Sequence, residues 1–143
     1  MLASQRISPV TVWAYIPAQI LGAIVGAVLA NLMFNLPAVQ ISDNYRVSTG
    51  TFIGEVLATA GLLIVILVLL QRDQGGLIPV SVAAWIGSAY FFTSSTSFAN
   101  PAVTVGRIFS DTFAGISPDS VLPFIGAQLV GAAIGILGVK AIK

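Results

Sequence analysis

The sequence contains no cysteine and no histidine, and only 8% of its 143 residues are charged. Without cysteine there is no disulfide framework, no thiolate nucleophile and no Cys/His metal site, and without histidine there is no Ser-His-Asp triad. We therefore expect no metal and no other cofactor. The net charge of +1 also lacks the basic excess that a nucleic-acid partner would need.

The hydroxyl groups of the chain also lack a base that could make them catalytic nucleophiles. The serine and threonine run at 93–97 offers hydroxyl groups, but no histidine and no suitably placed lysine is present to activate them. The sequence therefore predicts that the protein is not an enzyme.

Apolar residues dominate what remains. They make up 57% of the chain, the mean hydropathy is +0.98, and a soluble domain would carry roughly 25% charged residues. The sequence is therefore that of an integral, all-α membrane protein lying in a lipid bilayer. A helix needs about 20 apolar residues to cross the bilayer, and four segments qualify: 12–34, 51–70, 77–93 and 121–139.

The positions of lysine and arginine predict the orientation, because cytoplasmic segments are enriched in them. Four crossings place both ends of the chain and the turn 71–76 on one side. That side carries Arg6, Arg72, Lys140 and Lys143. We expect a multi-pass protein of the cell membrane with both termini in the cytoplasm.

An internal repeat is visible. Residues 7–30 and 116–139 agree at 10 of 24 positions at an offset of 109, including Ile-Ser-Pro, Ala-Gln and a GxxxG pair. The predicted orientation makes the copies run in opposite directions, which is an inverted repeat. The partner of Asn100 would fall before Met1. We therefore expect a channel domain over 1–143 that is incomplete at its N-terminus.

The segment 94–111 is neither a simple span nor a simple loop. Asn is a favoured N-cap and Pro a favoured first helical residue, so Asn-Pro-Ala at 100–102 predicts a helix from Asn100 to about Asp111. Its length of about 16 Å is half a bilayer. With the extended polar stretch before it, this predicts a re-entrant hairpin, which is tolerated only where it is buried in protein or lines a wet cavity. The alternative is an ordinary capped loop.

Such a hairpin has a definite chemistry. The N-terminus of the short helix carries about half a positive charge, the Asn100 amide offers N–H donors, and the carbonyl groups of 94–99 offer acceptors. This arrangement would conduct small neutral hydrogen-bonding solutes and oppose cations, including protons.

SFANPAVTVGR at 97–107 and GEVLATAG at 54–61 together resemble the aquaporin or major intrinsic protein family, over essentially the whole chain. The resemblance implies a helical bundle of six spans in which two NPA half-helices meet at mid-membrane. It also implies a homotetramer with one pore in each subunit. Here we expect four spans and one half-helix, because the first two spans and the first NPA are absent.

The resemblance also assigns pore residues. Asn100, Pro101 and Ala102 fall on the second NPA, and the narrow filter falls on Ser88, Ser97 and Val103. The last of these positions usually holds arginine in the family. Arg107 lies one turn further and is not expected to replace it.

This departure implies a wide filter without a fixed cation. It favours solutes bulkier than water, such as glycerol, urea or metalloid hydroxides such as arsenite. In this respect the chain is similar to bacterial relatives associated with arsenic handling.

Several residues are expected to support the pore. A carboxylate within a span usually faces the bundle interior, and the resemblance implies that Glu55 braces the NPA loop by accepting from backbone N–H groups. A protonated Glu55 satisfied by a neighbouring span is the alternative. Gln19 and Gln128, at equivalent repeat positions, are expected to hold the same loops or to bond between helices. Four glycines are expected to allow close helix packing: Gly22, Gly26, Gly131 and Gly135.

The sequence therefore predicts a passive channel for small neutral solutes. Two alternatives stay open. One is a non-conducting fragment or subunit of such a channel. The other is a coupled secondary transporter, for which Glu55 is the one candidate coupling group.

Overall fold

The computed structural model describes residues 9–141, and within them all regular structure is helical. The five α-helices are α1 (Pro9–Met33), α2 (Thr49–Gln71), α3 (Ile78–Phe92), α4 (Pro101–Gly106) and α5 (Pro118–Ala141). Two short 3₁₀ segments, Gly75–Leu77 and Arg107–Phe109, precede α3 and follow α4. No β-strand occurs in the part of the chain that is described.

Four helical segments are long and apolar enough to cross a membrane: Val10–Met33, Thr49–Gln71, Gly75–Phe92 and Pro118–Ala141. The predicted fold class, an all-α membrane protein with four spanning helices and one short helix, is confirmed. Large apolar side chains lie exposed along these helices, among them Leu29, Leu57 and Leu129. Because apolar side chains are stable in lipid without any polar cover, this surface fits a bilayer.

Helices α1, α2 and α5 begin two or three residues before the apolar runs at 12, 51 and 121. Helix α2 starts after Ser48, whose hydroxyl accepts from the Thr51 N–H at 3.1 Å, while the Ser48 N–H donates back to Thr51 Oγ1 at 3.0 Å. This reciprocal pair satisfies two N–H groups that a helix start leaves without partners. Helices α1 and α5 begin at Pro9 and Pro118, the equivalent prolines of the repeat.

The described chain divides into two compact units. The first contains residues 9–44 and 102–118. In it α4 lies against α1, since a Cβ atom on Gly106 would come within 2.7 Å of Ala23. The extended segment before α2 runs beside the end of the short helix, where the Ser42 N–H donates to the Ile108 carbonyl at 2.9 Å.

The second unit contains residues 45–101 and 119–141, and it packs α2 against both α3 and α5. Gly131 and Gly135 of α5 lie against α2. A Cβ on Gly131 would come within 2.5 Å of the Val56 carbonyl oxygen, and a Cβ on Gly135 would come within 2.7 Å of the Ala60 carbonyl oxygen. On α3, Trp85 packs over α2 and its indole N–H donates to the Ala58 carbonyl at 2.9 Å.

The short helix differs from its predicted bounds. It was expected to run from Asn100 to about Asp111, whereas α4 covers Pro101–Gly106 and ends in the 3₁₀ turn Arg107–Phe109. The carbonyl groups of this turn bond to other segments and not along a continuing helix: that of Arg107 accepts from Ile116, and that of Ile108 from Ser42. These bonds explain why the helix stops early.

Candidate functional site

The loop between α3 and α4 has an unusual backbone. Thr96, Ser97 and Ala99 have φ angles of 63°, 49° and 49°, in the left-handed region that residues other than glycine rarely occupy. Each such residue costs on the order of 1 kcal/mol or more and persists only where its surroundings enforce it. All three are buried. The loop therefore needs a specific support.

Glu55 of α2 provides contacts to this loop. Its side chain is fully buried, and its two carboxylate oxygens accept from the Phe98 N–H at 2.8 Å and the Ala99 N–H at 2.9 Å. Gln128 of α5 donates from Nε2 to the same carboxylate at 2.7 Å. We call these four residues the Glu55 cluster. Three donors around one carboxylate are the partners that a buried acid requires.

The Phe98 side chain anchors the loop by a second route. Its ring lies edge-on to the ring of Phe124 of α5, with 5.2 Å between centroids. The guanidinium of Arg46 lies 5.3 Å from the Phe98 centroid, within the range of a cation–π contact. The loop is therefore held by its backbone on one residue of α2 and by a side chain on α5.

The Asn-Pro-Ala triplet lies directly after this loop. Helix α4 begins at Pro101, so the proline occupies the first helical position and Asn100 the capping position before it. Asn100 is half-buried and Ala102 is buried. The chain thus passes from a strained, buried loop directly into the N-terminus of a helix.

The expected filter residues lie on three different elements. Ser88 is exposed on α3 and lines a groove whose wall includes Trp85 and residues of α2. Ser97 is buried in the loop, where its N–H donates to Ser95 Oγ at 3.2 Å. Of these two residues, Ser88 lines this groove and Ser97 does not.

Val103 lines a separate cavity of about 560 Å³ within the first unit. Most of the side chains that line this cavity are apolar, and one of the polar ones, Arg107, is charged. The lining residues are Ala23, Ala27, Ala30, Asn31, Phe34, Leu36, Val103, Arg107, Ser110, Thr112, Phe113 and Ala114.

Asn31 is a supporting residue to which the sequence analysis gave no role. It is 1% exposed, and its amide donates to the carbonyls of Ala38 at 3.2 Å and Phe109 at 2.9 Å. The Ser110 hydroxyl donates to Asn31 Oδ1 at 2.7 Å. One side chain of α1 thus fastens the end of the short helix. The signal available in the sequence was that Asn31 and Gln19 are the polar exceptions in this apolar span.

The glutamines and glycines that were predicted to support the pore differ in burial and contacts between the two copies of the repeat. Gln128 is buried in the Glu55 cluster, whereas Gln19 is exposed on α1. Gly131 and Gly135 lie against α2, whereas a Cβ on Gly22 or Gly26 would meet nothing within 4 Å among the described residues. Roles for Gln19, Gly22 and Gly26 stay predictions.

Comparison with known proteins decides the family. The sequence model of the Major intrinsic protein family matches residues 1–97. The chain belongs to this family. Aquaglyceroporin AqpS of Rhizobium meliloti (strain 1021) is 43% identical over 119 residues, which are 83% of this chain and 51% of AqpS. The chain thus spans about half the length of the curated relative that it matches. No solved structure matches it.

Membership in the Major intrinsic protein family agrees with the four apolar helices, and the protein is a multi-pass membrane protein. The family match ends at residue 97. Glu55 lies within the matched range, whereas Phe98, Ala99 and the Asn-Pro-Ala triplet follow it.

Proposed function

We propose that the protein forms a passive channel for small neutral solutes, with water and glycerol as the first candidates. The observation that carries this proposal is the Glu55 cluster, in which a buried carboxylate holds a strained loop directly before Asn100, Pro101 and Ala102. Irregular backbone within a membrane is tolerated where it is buried in protein or lines a wet cavity, and a solute path beside Asn100 would give this costly loop a purpose.

The backbone chemistry supports this proposal. A loop with left-handed residues at 96, 97 and 99 forms neither a helix nor a strand ladder, so its carbonyl groups are suited to accept hydrogen bonds from a solute. The helix that follows presents its positive end at the same place, and the Asn100 amide adds donors. Acceptors and donors together suit neutral polar molecules, and the positive helix end opposes cations.

The width of the path follows from the filter residues. We infer that Ser88, Ser97 and the uncharged Val103 leave room for solutes larger than water, including glycerol, urea and metalloid hydroxides such as arsenite. The similarity to a protein named aquaglyceroporin supports glycerol in particular. We further propose that the segment 94–111 is re-entrant, that both termini are cytoplasmic, and that the assembled channel is a homotetramer.

Flux in vesicles tests this function. The purified protein is reconstituted, and shrinking and reswelling after an osmotic step are followed by light scattering, with empty vesicles as the control. We expect glycerol and water permeability above the control, without saturation at low millimolar solute and without dependence on ion gradients. A saturable, ion-dependent flux would indicate a coupled transporter. Permeability equal to that of empty vesicles would contradict conduction by this chain.

A further inference from the structure

Arg46 lies in the extended segment that precedes α2, and its guanidinium lies over the ring of Phe98, 5.3 Å from the centroid. Phe98 stands between Ser97 and Ala99, which both have left-handed backbone. We propose that Arg46 is a positioning residue, which fixes the loop before Asn100, and with it the width of the solute path, by holding the Phe98 ring. The role in solute passage rests on the proposed function, whereas the hold on the loop can be measured without flux.

The backbone of Arg46 is held through both of its peptide groups. Its N–H donates to the hydroxyl of Ser120 at 3.0 Å, and Ser120, in the first turn of α5, is completely buried. Its carbonyl accepts from the hydroxyl of Thr51, in the first turn of α2, at 2.6 Å. The residue that carries the cation is therefore tied to the starts of α2 and α5, the two helices whose side chains contact the loop.

The Phe98 ring is buried against two partners. It is 3% exposed, and the ring of Phe124, itself 2% exposed, lies edge-to-face with it at 5.2 Å between centroids. A guanidinium over an aromatic face is attracted by the negative charge of the π system, and more strongly where water is excluded. Arg46 itself is half-buried. The contact therefore lies where the core meets the surface, and removing the guanidinium would leave that face of the ring without its cover.

The position of this ring matters because of the backbone on each side of it. Ser97 and Ala99 each have a φ angle of 49°, which such residues keep only where their surroundings enforce it. Glu55 fixes the N–H groups of Phe98 and Ala99, and the ring contact fixes the direction of the side chain between the two strained residues. Without that contact these residues can relax, which displaces Ser97, a predicted filter residue. The contact thus acts on the shape of the loop and not only on its stability.

Thiol reactivity measures how often the loop opens. The chain has no cysteine, and Ser97 is 2% exposed, so Ser97→Cys introduces a single thiol that reacts only when the loop opens. In detergent we expect Arg46→Met to speed its reaction with a neutral maleimide by about two- to thirtyfold, the range that a cation–π contact spans. Arg46→Lys should speed it less, because the ammonium keeps a cation near the ring. Arg72→Met, at the exposed C-cap of α2, is the matched control and should react like the parent.

A double-mutant cycle tests whether Arg46 acts through Phe98. Phe98→Leu keeps an apolar side chain without a π face, and Phe91→Leu, at a position of α3 that is 94% exposed, is its control. We expect Arg46→Met to speed the reaction of Ser97→Cys in the Phe91→Leu background and to add little in the Phe98→Leu background, where the contact is already absent. The same factor in both backgrounds, or no factor in either, would overturn the inference.

Flux separates positioning from stability. In reconstituted vesicles of the cysteine-free chain we expect Arg46→Met to lower the ratio of glycerol to water permeability by about twofold or more, because the larger solute needs the full width of the path. Arg46→Lys should lie nearer the parent. A merely structural role would reduce both permeabilities together as folded protein is lost and would leave their ratio unchanged. An unchanged ratio in a conducting Arg46→Met sample would therefore overturn the role in solute passage.

The two proposals fail in different ways. If the unchanged protein conducts and Arg46→Met keeps both its labelling rate and its ratio, this inference is wrong and the proposed function stands. If the unchanged protein does not conduct, the proposed function fails and the role of Arg46 in solute passage fails with it, while labelling still decides whether Arg46 holds the loop. Where Arg46→Met elutes as aggregate, Arg46→Gln takes its place with the same expected results.

Discussion

At the scale of single residues, the described part of the protein places a carboxylate where lipid or apolar side chains would otherwise be expected. Glu55 is completely buried, yet each of its oxygens accepts from a backbone N–H, and Gln128 adds a third donor. A buried carboxylate with these partners keeps two peptide groups in orientations that they would not choose alone. One acidic side chain therefore determines the shape of a loop.

Removing this carboxylate should destabilise the protein. Glu55→Leu leaves the Phe98 and Ala99 N–H groups without their acceptors, at a cost of about 1–3 kcal/mol each, whereas Glu55→Gln keeps an oxygen for one of them. We expect Glu55→Leu to lower the midpoint of thermal unfolding in detergent and to reduce glycerol flux, with Glu55→Gln in between. Equal unfolding midpoints and equal flux for Glu55→Leu and the parent would contradict this role.

Val103 should affect which solutes pass. Val103→Arg introduces a long cation into a cavity that already holds Arg107, so it narrows the space and adds donors that suit water. We expect glycerol and arsenite permeability to fall much more than water permeability in vesicles. Val103→Leu, which adds volume without charge, is the control that separates size from charge. An unchanged solute preference in Val103→Arg would place the constriction elsewhere.

The sequence singled out polar and charged residues that lie within apolar spans. Glu55 could be predicted to need a buried partner because a charge within a span is costly, although its contact atoms could not. Asn31 was visible as a polar exception and yet received no role, because its partners, the Phe109 carbonyl and Ser110, lie 78 and 79 residues away. No local pattern predicts such a long-range contact.

At the scale of elements, helix packing in the second unit depends on glycine. Gly131 and Gly135 bring α5 so close to α2 that an added Cβ would contact carbonyl oxygens, which cannot rotate away as a side chain can. This close approach also brings Gln128, one turn before Gly131, to Glu55. Helix packing and loop support are thus parts of one arrangement.

Substitution at these glycines tests that arrangement. Gly135→Ala places a methyl group about 2.7 Å from the Ala60 carbonyl oxygen, and overpacking of this kind costs about 1–3 kcal/mol. Gly126→Ala on the same helix meets nothing within 4 Å and should be neutral or slightly stabilising. Thermal unfolding in detergent should separate the two variants. Equal midpoints would show that α5 can move away from α2 at little cost.

The boundaries of elements were predicted less well than their existence. The long helices follow from apolar length alone. The early end of α4 does not, because it depends on carbonyl groups of 107–109 that bond to residues before α2 and α5. The left-handed residues 96, 97 and 99 were also not predictable, since Thr, Ser and Ala carry no local preference for that conformation.

At the scale of the whole molecule, the predicted arrangement in the membrane is open to a direct experiment. Gln74 lies in the exposed turn between α2 and α3, and Asp43 lies in the exposed segment before α2. In intact cells we expect a membrane-impermeant thiol reagent to label Asp43→Cys, and to label Gln74→Cys only after permeabilisation. The parent, which has no cysteine, is the blank. The reverse labelling pattern would place both termini outside.

The Glu55 cluster also has a consequence for the order of events during synthesis. Glu55 leaves the ribosome first, the Phe98 peptide follows 43 residues later, and Gln128 comes 73 residues after Glu55. At about 5–20 residues per second, Gln128 is added about 4–15 s after Glu55. Until α5 has been made, Glu55 lacks the donor that Gln128 supplies in the folded protein. The loop before Asn100 therefore reaches its final support only when the last described helix has been made.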